Sequence, residues 1–199
     1  MEEIVRHILY FSSLKTRVIG TRGFYEAAKY IVDKFSEYGL KPGPDGFYHQ
    51  YPHTIPIENY ADLIVESEGL VLRLFTVWPN LVVTSKTPPE GLEGELLLIE
   101  GGRSLEDFDG KDVAGKIVVM NYDSGFGWIN AAKLGAKAVI FLPAKETVMG
   151  ESISKFIQSP LYFPRYYAAY NETLIYELAK RGSKVKIISN MHWEIVNGI

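Results

Sequence analysis

Apolar positions along the chain follow one period before about residue 60 and another after it. In the first part they recur every three to four residues. Ile4, Ile8 and Phe11 share a helical face and predict a short helix over 2–12. Phe24, Ala27, Ala28, Ile31, Phe35 and Tyr38 predict a longer amphipathic helix over 24–38. Thr21 stands where an N-cap hydroxyl would accept from the first turn. Gly39 supplies a left-handed stop, Leu40 can close over the last turn, and Pro42 forbids continuation. After the turn signal Pro44-Asp45-Gly46, residues 47–57 read as extended.

From residue 60 onward the apolar residues alternate or come in short β-branched runs. Residues 61–66 and 70–78 predict a hairpin around Ser67-Glu68-Gly69. Residues 95–100, 116–120 and 138–142 predict strands, the last two apolar enough to be covered on both faces. A short helix over 128–134, ended by Gly135, lies between those two. Residues 144–170 are rich in Tyr and Pro and read as irregular. A helix over 172–180 and a strand over 185–188 follow. The pattern predicts a strand-rich α/β protein, with its boundary near residues 55–60.

Composition narrows what such a fold could do. The chain has 199 residues, 47% apolar and 23% charged, enough for a self-sufficient core. A net charge of −3 gives no electrostatic case for nucleic acid or an anionic membrane as partner. Cysteine is absent, which excludes disulfides, thiolate metal sites and cysteine nucleophiles. No run reaches the roughly 18 apolar residues of a membrane span, and the acidic N-terminus lacks a secretory apolar region. A cytoplasmic location is the expectation.

Catalytic patterns mostly fail. His49 and His53 share a face of an extended segment but would sit about 13 Å apart, too far to chelate one ion. No helical HExxH pair accompanies them. Ser124 lies between a strand and a helix, yet Tyr122 and Phe126 occupy the glycine positions of a nucleophile elbow. Gly125-Phe126-Gly127 opens a β–loop–α–β unit, but Asn130 replaces the third glycine of a dinucleotide fingerprint and no ribose-binding acid follows. Gly20-Thr21-Arg22-Gly23 lacks the Lys-Ser/Thr ending of a P-loop. The dense aromatic stretch Tyr162, Phe163, Arg165, Tyr166 and Tyr167, with Phe126 and Trp128, is the candidate interface or lid surface.

Two stretches together resemble a known family. Arg17-Val18-Ile19-Gly20-Thr21-Arg22-Gly23, with the helix ending Tyr38-Gly39-Leu40 and an extended segment over 47–51, resembles the opening of M28-type zinc aminopeptidases, relatives of the transferrin receptor and glutamate carboxypeptidase. Residues 112–120, Asp-Val-Ala-Gly-Lys-Ile-Val-Val-Met, followed by Ala131 to Phe141 with its Gly135-Ala136, resemble the protease-associated (PA) domain signature. In many M28 members a PA domain is inserted after such an opening.

The resemblance implies a PA-type swivelling β/β/α domain over 58–190, preceded by an N-terminal helical segment over 1–57 of a peptidase-like domain. Residues 191–199 would return towards a catalytic domain not in this chain. The family's zinc-binding set, an H-x-D motif followed by a bridging Asp and a Glu-Glu pair, does not occur here, so no catalytic or metal-binding residue carries over and zinc is expected in that other domain. The implied role is non-catalytic: substrate access or interaction for a peptidase, with the catalytic domain of the same polypeptide and a peptide substrate as partners, and a homo-oligomer as a further expectation. The alternative is a free-standing PA-type binding or oligomerisation module. In either case the apolar face of the 24–38 helix needs a covering surface, whether the PA domain or another copy.

Overall fold

A computed structural model describes residues 2–144 and 149–199. The chain forms two compact units, Met1–Ile55 with Trp193–Ile199, and Pro56–His192. Two long strands, β1 (Tyr51–Val65) and β8 (Lys184–Gly198), each run from one unit into the other.

The first unit contains α1 (Glu2–Ser13) and α2 (Arg22–Glu37). The helices meet through Tyr10 and Tyr30, whose rings stack at 3.9 Å, and through His7 Nδ1 at 2.8 Å from Tyr30 Oη. The Tyr38 hydroxyl donates to Glu3 at 2.7 Å. The C-terminus of α2 closes as the sequence implied. Gly39 takes φ +79, its N–H donates to Ser36 O, and the Leu40 N–H reaches back to Phe35 O at 2.9 Å. The N-terminus differs from expectation. Thr21 Oγ1 donates backwards to Val18 O at 2.7 Å instead of accepting from α2. The preceding turn competes for the hydroxyl and wins. Gly23 in that first turn is obligatory, because an added Cβ would lie 2.0 Å from Thr16 O. Neither helix builds a core: α1 buries no residue and α2 buries only Ala27. Ile4, Ile8, Leu9, Ile31 and Phe35 are exposed.

The second unit is built on one sheet in the order β2-β1-β8-β4-β5-β6-β7-β3. Its other strands are β2 (Leu70–Arg73), β3 (Phe75–Thr76), β4 (Leu92–Ile99), β5 (Ile117–Asn121), β6 (Ala138–Leu142) and β7 (Arg165–Tyr167). The two ends of this order, β2 and β3, are separated in the chain by Leu74 alone, so the sheet closes on itself. The single strand expected over 70–78 is thus two strands with different partners. β2 pairs with β1, and β3 pairs with β7. Glu58 holds the junction, accepting from Arg73 Nη2, from the Thr76 N–H and, at 2.6 Å, from the Thr76 hydroxyl. Leu74 is fully buried, and its N–H donates to Ala61 O at 2.8 Å.

β4 also divides its pairing. Leu92–Glu95 lie antiparallel to β8, and Leu96–Ile99 lie parallel to β5. β5, β6 and β7 continue the parallel set. The β-branched runs of β5 and β6 are buried on both faces, as their composition predicted. Ile117, Val119, Ala138 and Ile140 join one core with α5 (Glu172–Lys180), through its Ile175, Leu178 and Ala179. Val118, Met120, Val139 and Phe141 join the other with α3 (Trp128–Lys133), through Trp128 and Ala131. The stretch read as irregular holds β7 and the short helix α4 (Met149–Ile153).

Candidate functional site

The loops after the parallel strands come together at one end of the sheet, where α/β folds usually place their sites. After β4 comes Gly101-Gly102-Arg103, and after β5 comes the loop Tyr122–Gly127. The two loops touch backbone to backbone. A Cβ on Gly127 would sit 1.7 Å from Gly102 O. Of the two glycines that suggested a nucleotide loop, Gly127 is therefore explained by packing and Gly125 by its φ of +56.

The segment that follows α4 clamps the second loop. Lys155, fully buried, donates through Nζ to Gly125 O at 2.9 Å, to Glu151 Oε2 at 3.0 Å and to Ser154 Oγ at 2.9 Å. Glu151 accepts from the Gly125 N–H at 2.9 Å and from Arg103 at 3.1 Å. One acid–base pair thus grips both the N–H and the C=O of a single residue. Trp128 Nε1 donates to Ser154 O at 2.7 Å, which fastens the same segment to α3. Burial pushes the Lys155 ammonium below its ordinary value, against the pull of Glu151. Burial also opposes ionisation of Glu151, but the bonds from Lys155 and the Gly125 N–H, with Arg103 beside them, outweigh it and its pKa is lowered.

A lowered carboxylate pKa carries a sign. Glu151 stabilises the fold above the ordinary value of 4.5, and that contribution is lost as the pH falls through the lowered native value. Thermal unfolding of the chain followed from pH 6 downwards should show a loss of stability beginning below about pH 4.5. Glu151→Gln should flatten that part of the profile. An unchanged slope in the variant would remove Glu151 as its source.

The sequence-predicted site residues separate into two groups. Phe163, Arg165, Tyr166 and Trp128 are interior. Trp128 stacks on Phe163 at 6.1 Å, and the Arg165 guanidinium lies 4.8 Å over the Trp128 ring. Arg165 donates to Lys155 O and, at 2.6 Å, to Trp78 O, and burial lowers its pKa to about 10. Its Nε has no partner among the described residues. Tyr166 Oη lies 2.8 Å from Ser189 Oγ, and burial raises its pKa. These four side chains offer no surface to a partner, because Trp128 and Phe163 lie in the core that α3 covers, and Arg165 and Tyr166 are buried on β7 between β6 and β3. The accessible members are Tyr162 at 53%, Phe126 at 55% and, in part, Tyr167. Tyr162 is held by its hydroxyl, which donates to Lys86 O at 2.9 Å.

Ser124 is buried, and its Oγ has no partner among the described residues. A buried hydroxyl beneath a clamped loop is not placed as a nucleophile would be. Glu151 and Lys155 escaped the sequence reading, although an acid and a base at i,i+4 were a signal for a helical turn there. Among the described residues no group of three or more His, Asp or Glu could hold a metal ion. No helix among them is long and apolar enough to cross a membrane.

Similar structures are known. A zinc aminopeptidase from Bacillus subtilis superposes on 95% of this chain with a TM-score of 0.60 at 18% identity. A peptidase M28 precursor from Shewanella amazonensis superposes on 96% with a TM-score of 0.54 at 16% identity. The chain spans only 44% and 48% of those two proteins. At such identities the likeness is one of fold: a mixed α/β architecture shared with part of these larger enzymes. No protein-family profile matches the sequence, and no curated protein matches it.

Proposed function

We propose that the chain is the non-catalytic region of an M28-like zinc aminopeptidase, with Pro56–His192 a PA-type domain that acts in substrate access or interaction. Peptide hydrolysis would be carried by a catalytic domain of the same polypeptide, and the zinc ions would sit on residues of that domain. The observation that supports this most is the extent of the likeness, which takes in 95–96% of this chain but under half of the zinc aminopeptidase and of the peptidase M28 precursor. The two sequence stretches that resemble the M28 opening and the PA signature fall in the first and second unit respectively. In this reading Tyr162, Phe126 and Tyr167 form the accessible part of the lid surface, and the buried aromatic residues keep it rigid.

The test compares two proteins. The 199-residue chain, supplied with zinc, should release no product from aminoacyl p-nitroanilides. A longer polypeptide encoded by the same reading frame should release it and lose that activity to a chelator. Turnover by the 199-residue chain itself would overturn the proposal, as would a reading frame without further coding sequence.

A further inference from the structure

One concavity in the second unit differs from the rest of the surface. It is lined by Phe75, Val77 and Trp78 from the segment that closes the sheet, by Tyr122 and Tyr167 from the ends of β5 and β7, and by Ile153 and Phe156 from α4 and the turn after it. Its volume is about 520 Å³, within the range of small-ligand sites. The rings are set by one another. Tyr122 meets Tyr167 edge-on at 5.2 Å and Phe141 at 5.7 Å, and Phe75 meets Tyr170 edge-on at 5.6 Å. Trp78 and Ile153 stay half exposed, at 50% and 59%, while Trp128, Phe141 and Tyr166 of the same unit are completely buried. The chain packs aromatic residues well where it packs them at all, so an open aromatic concavity is not a failure of packing.

Its chemistry selects the occupant. No charged side chain lines it among the described residues, and its polar side-chain groups are hydroxyls and the Trp78 indole N–H. Tyr122 Oη and Ser152 Oγ are 3.4 Å apart, and the Thr76 hydroxyl is already engaged by Glu58. The cations against its walls are already engaged: Lys155 lies 4.9 Å over the Tyr122 ring and is tied to Glu151, Arg73 lies 5.1 Å over the Phe75 ring and is tied to Glu58, and Arg165 donates to Trp78 O. A carboxylate placed here would lose its hydration with no partner in return, and an ammonium would be repelled by the Lys155 and Arg73 cations that already lie against the Tyr122 and Phe75 rings. Ring faces and edges fixed at right angles instead suit another ring, which gains edge-to-face contact beyond the area it buries.

We infer that this groove binds one aromatic side chain of a peptide. The inference takes from the proposed function only that the ligand is carried on a peptide, and its test involves no catalysis. The probe is N-acetyl-tryptophanamide, titrated into the 199-residue chain and followed by amide chemical shifts. Saturable shifts are expected at Phe75–Trp78, Tyr122, Ser152–Phe156 and Tyr167. N-acetyl-phenylalaninamide should act in the same way, and N-acetyl-alaninamide should cause none. Ile153→Asp, at an exposed wall position, should weaken binding about tenfold or more. Trp78→Ala should do the same, and both variants should keep the parent melting temperature. Equal binding of N-acetyl-leucinamide would overturn the aromatic assignment. Binding of free indole without the blocked amides would overturn carriage on a peptide. Shifts that lie elsewhere, or that survive both substitutions, would overturn the site. If the groove binds as expected but the longer polypeptide is no peptidase, only the proposed function falls.

Discussion

Gly127→Ala is expected to destabilise the second unit by about 3 kcal/mol or more. The position has φ −59, so backbone strain is not the reason. The reason is a collision with atoms that cannot turn aside. The new methyl would lie 1.7 Å from Gly102 O, 2.7 Å from Gly102 C and 3.0 Å from Arg103 Cα. A flexible side chain could swing away, but here a peptide unit must move. Gly102 is itself constrained: it takes φ +75, and its own missing Cβ would meet Met120 Cε at 2.1 Å. The two loops must therefore part, and with them the contact between the ends of β4 and β5. For a chain of this size about 3 kcal/mol lowers the melting temperature by roughly 6–12 °C. Gly125→Ala is the control. An added Cβ there meets nothing within 4 Å, so only its φ of +56 opposes the change, at a cost of about 1–2 kcal/mol. Differential scanning calorimetry of the two variants gives the comparison. Equal losses would show that the loops yield and that Gly127 is not a packing requirement.

What could be read from the sequence depended on how local its cause was. β5 and β6 were legible because burial on both faces leaves an unbroken apolar run. The end of α2 was legible because Gly39 and Leu40 complete a motif six residues long. The closure of the sheet was not. Leu70 to Thr76 alternates as one strand would, and only the positions of β1 and β7 decide that pairing changes at Leu74. The length of β1 was hidden for a similar reason. Ile57-Glu58-Asn59-Tyr60 looks like a break between two strands, because Glu58 faces its work at the β2–β3 junction and not a water-exposed face.

The candidate site divided along the same line. An aromatic residue in a sequence signals burial or contact without saying which. Trp128 on α3 and Tyr166 on β7 are fully buried, and Tyr162 is exposed, four positions from Tyr166 in the same stretch. The buried charges were the least visible part. Glu151 is a local partner of Lys155, but nothing local marks the pair as interior, since Gly125 becomes their neighbour only once α4 docks on the β5–α3 loop. The open groove could not be foreseen either. Its walls come from four separate segments of the chain.

Glu151→Ala should be the most damaging change to that docking, because it leaves the Lys155 ammonium buried and unpaired. Removal of one partner from a buried ion pair costs about 3–5 kcal/mol. Two responses limit the loss. Ser154 Oγ and Gly125 O still accept from Nζ. Lys155, whose pKa burial already lowers, can also shed its proton. A loss near the lower end, about 3 kcal/mol, is therefore expected, with a similar fall in melting temperature to that of Gly127→Ala. The second variant separates charge from packing. Lys155→Met on the Glu151→Ala background keeps the stem between the Tyr122 and Phe141 rings and removes the orphaned charge. It should recover more than half of the loss, because a matched apolar replacement of a buried pair is often near neutral. It should not recover all of it, since the half-buried Gly125 N–H and C=O lose both partners that the pair supplied and water replaces them only in part. Lys155→Met alone would leave Glu151 with Arg103 and the Gly125 N–H and should cost less than Glu151→Ala. The asymmetry between the two single variants is the decisive measurement. If Lys155→Met proved the worse of the two, the pair would matter through the packing of the lysine stem, and the grip on Gly125 would not be what holds α4 to the loop.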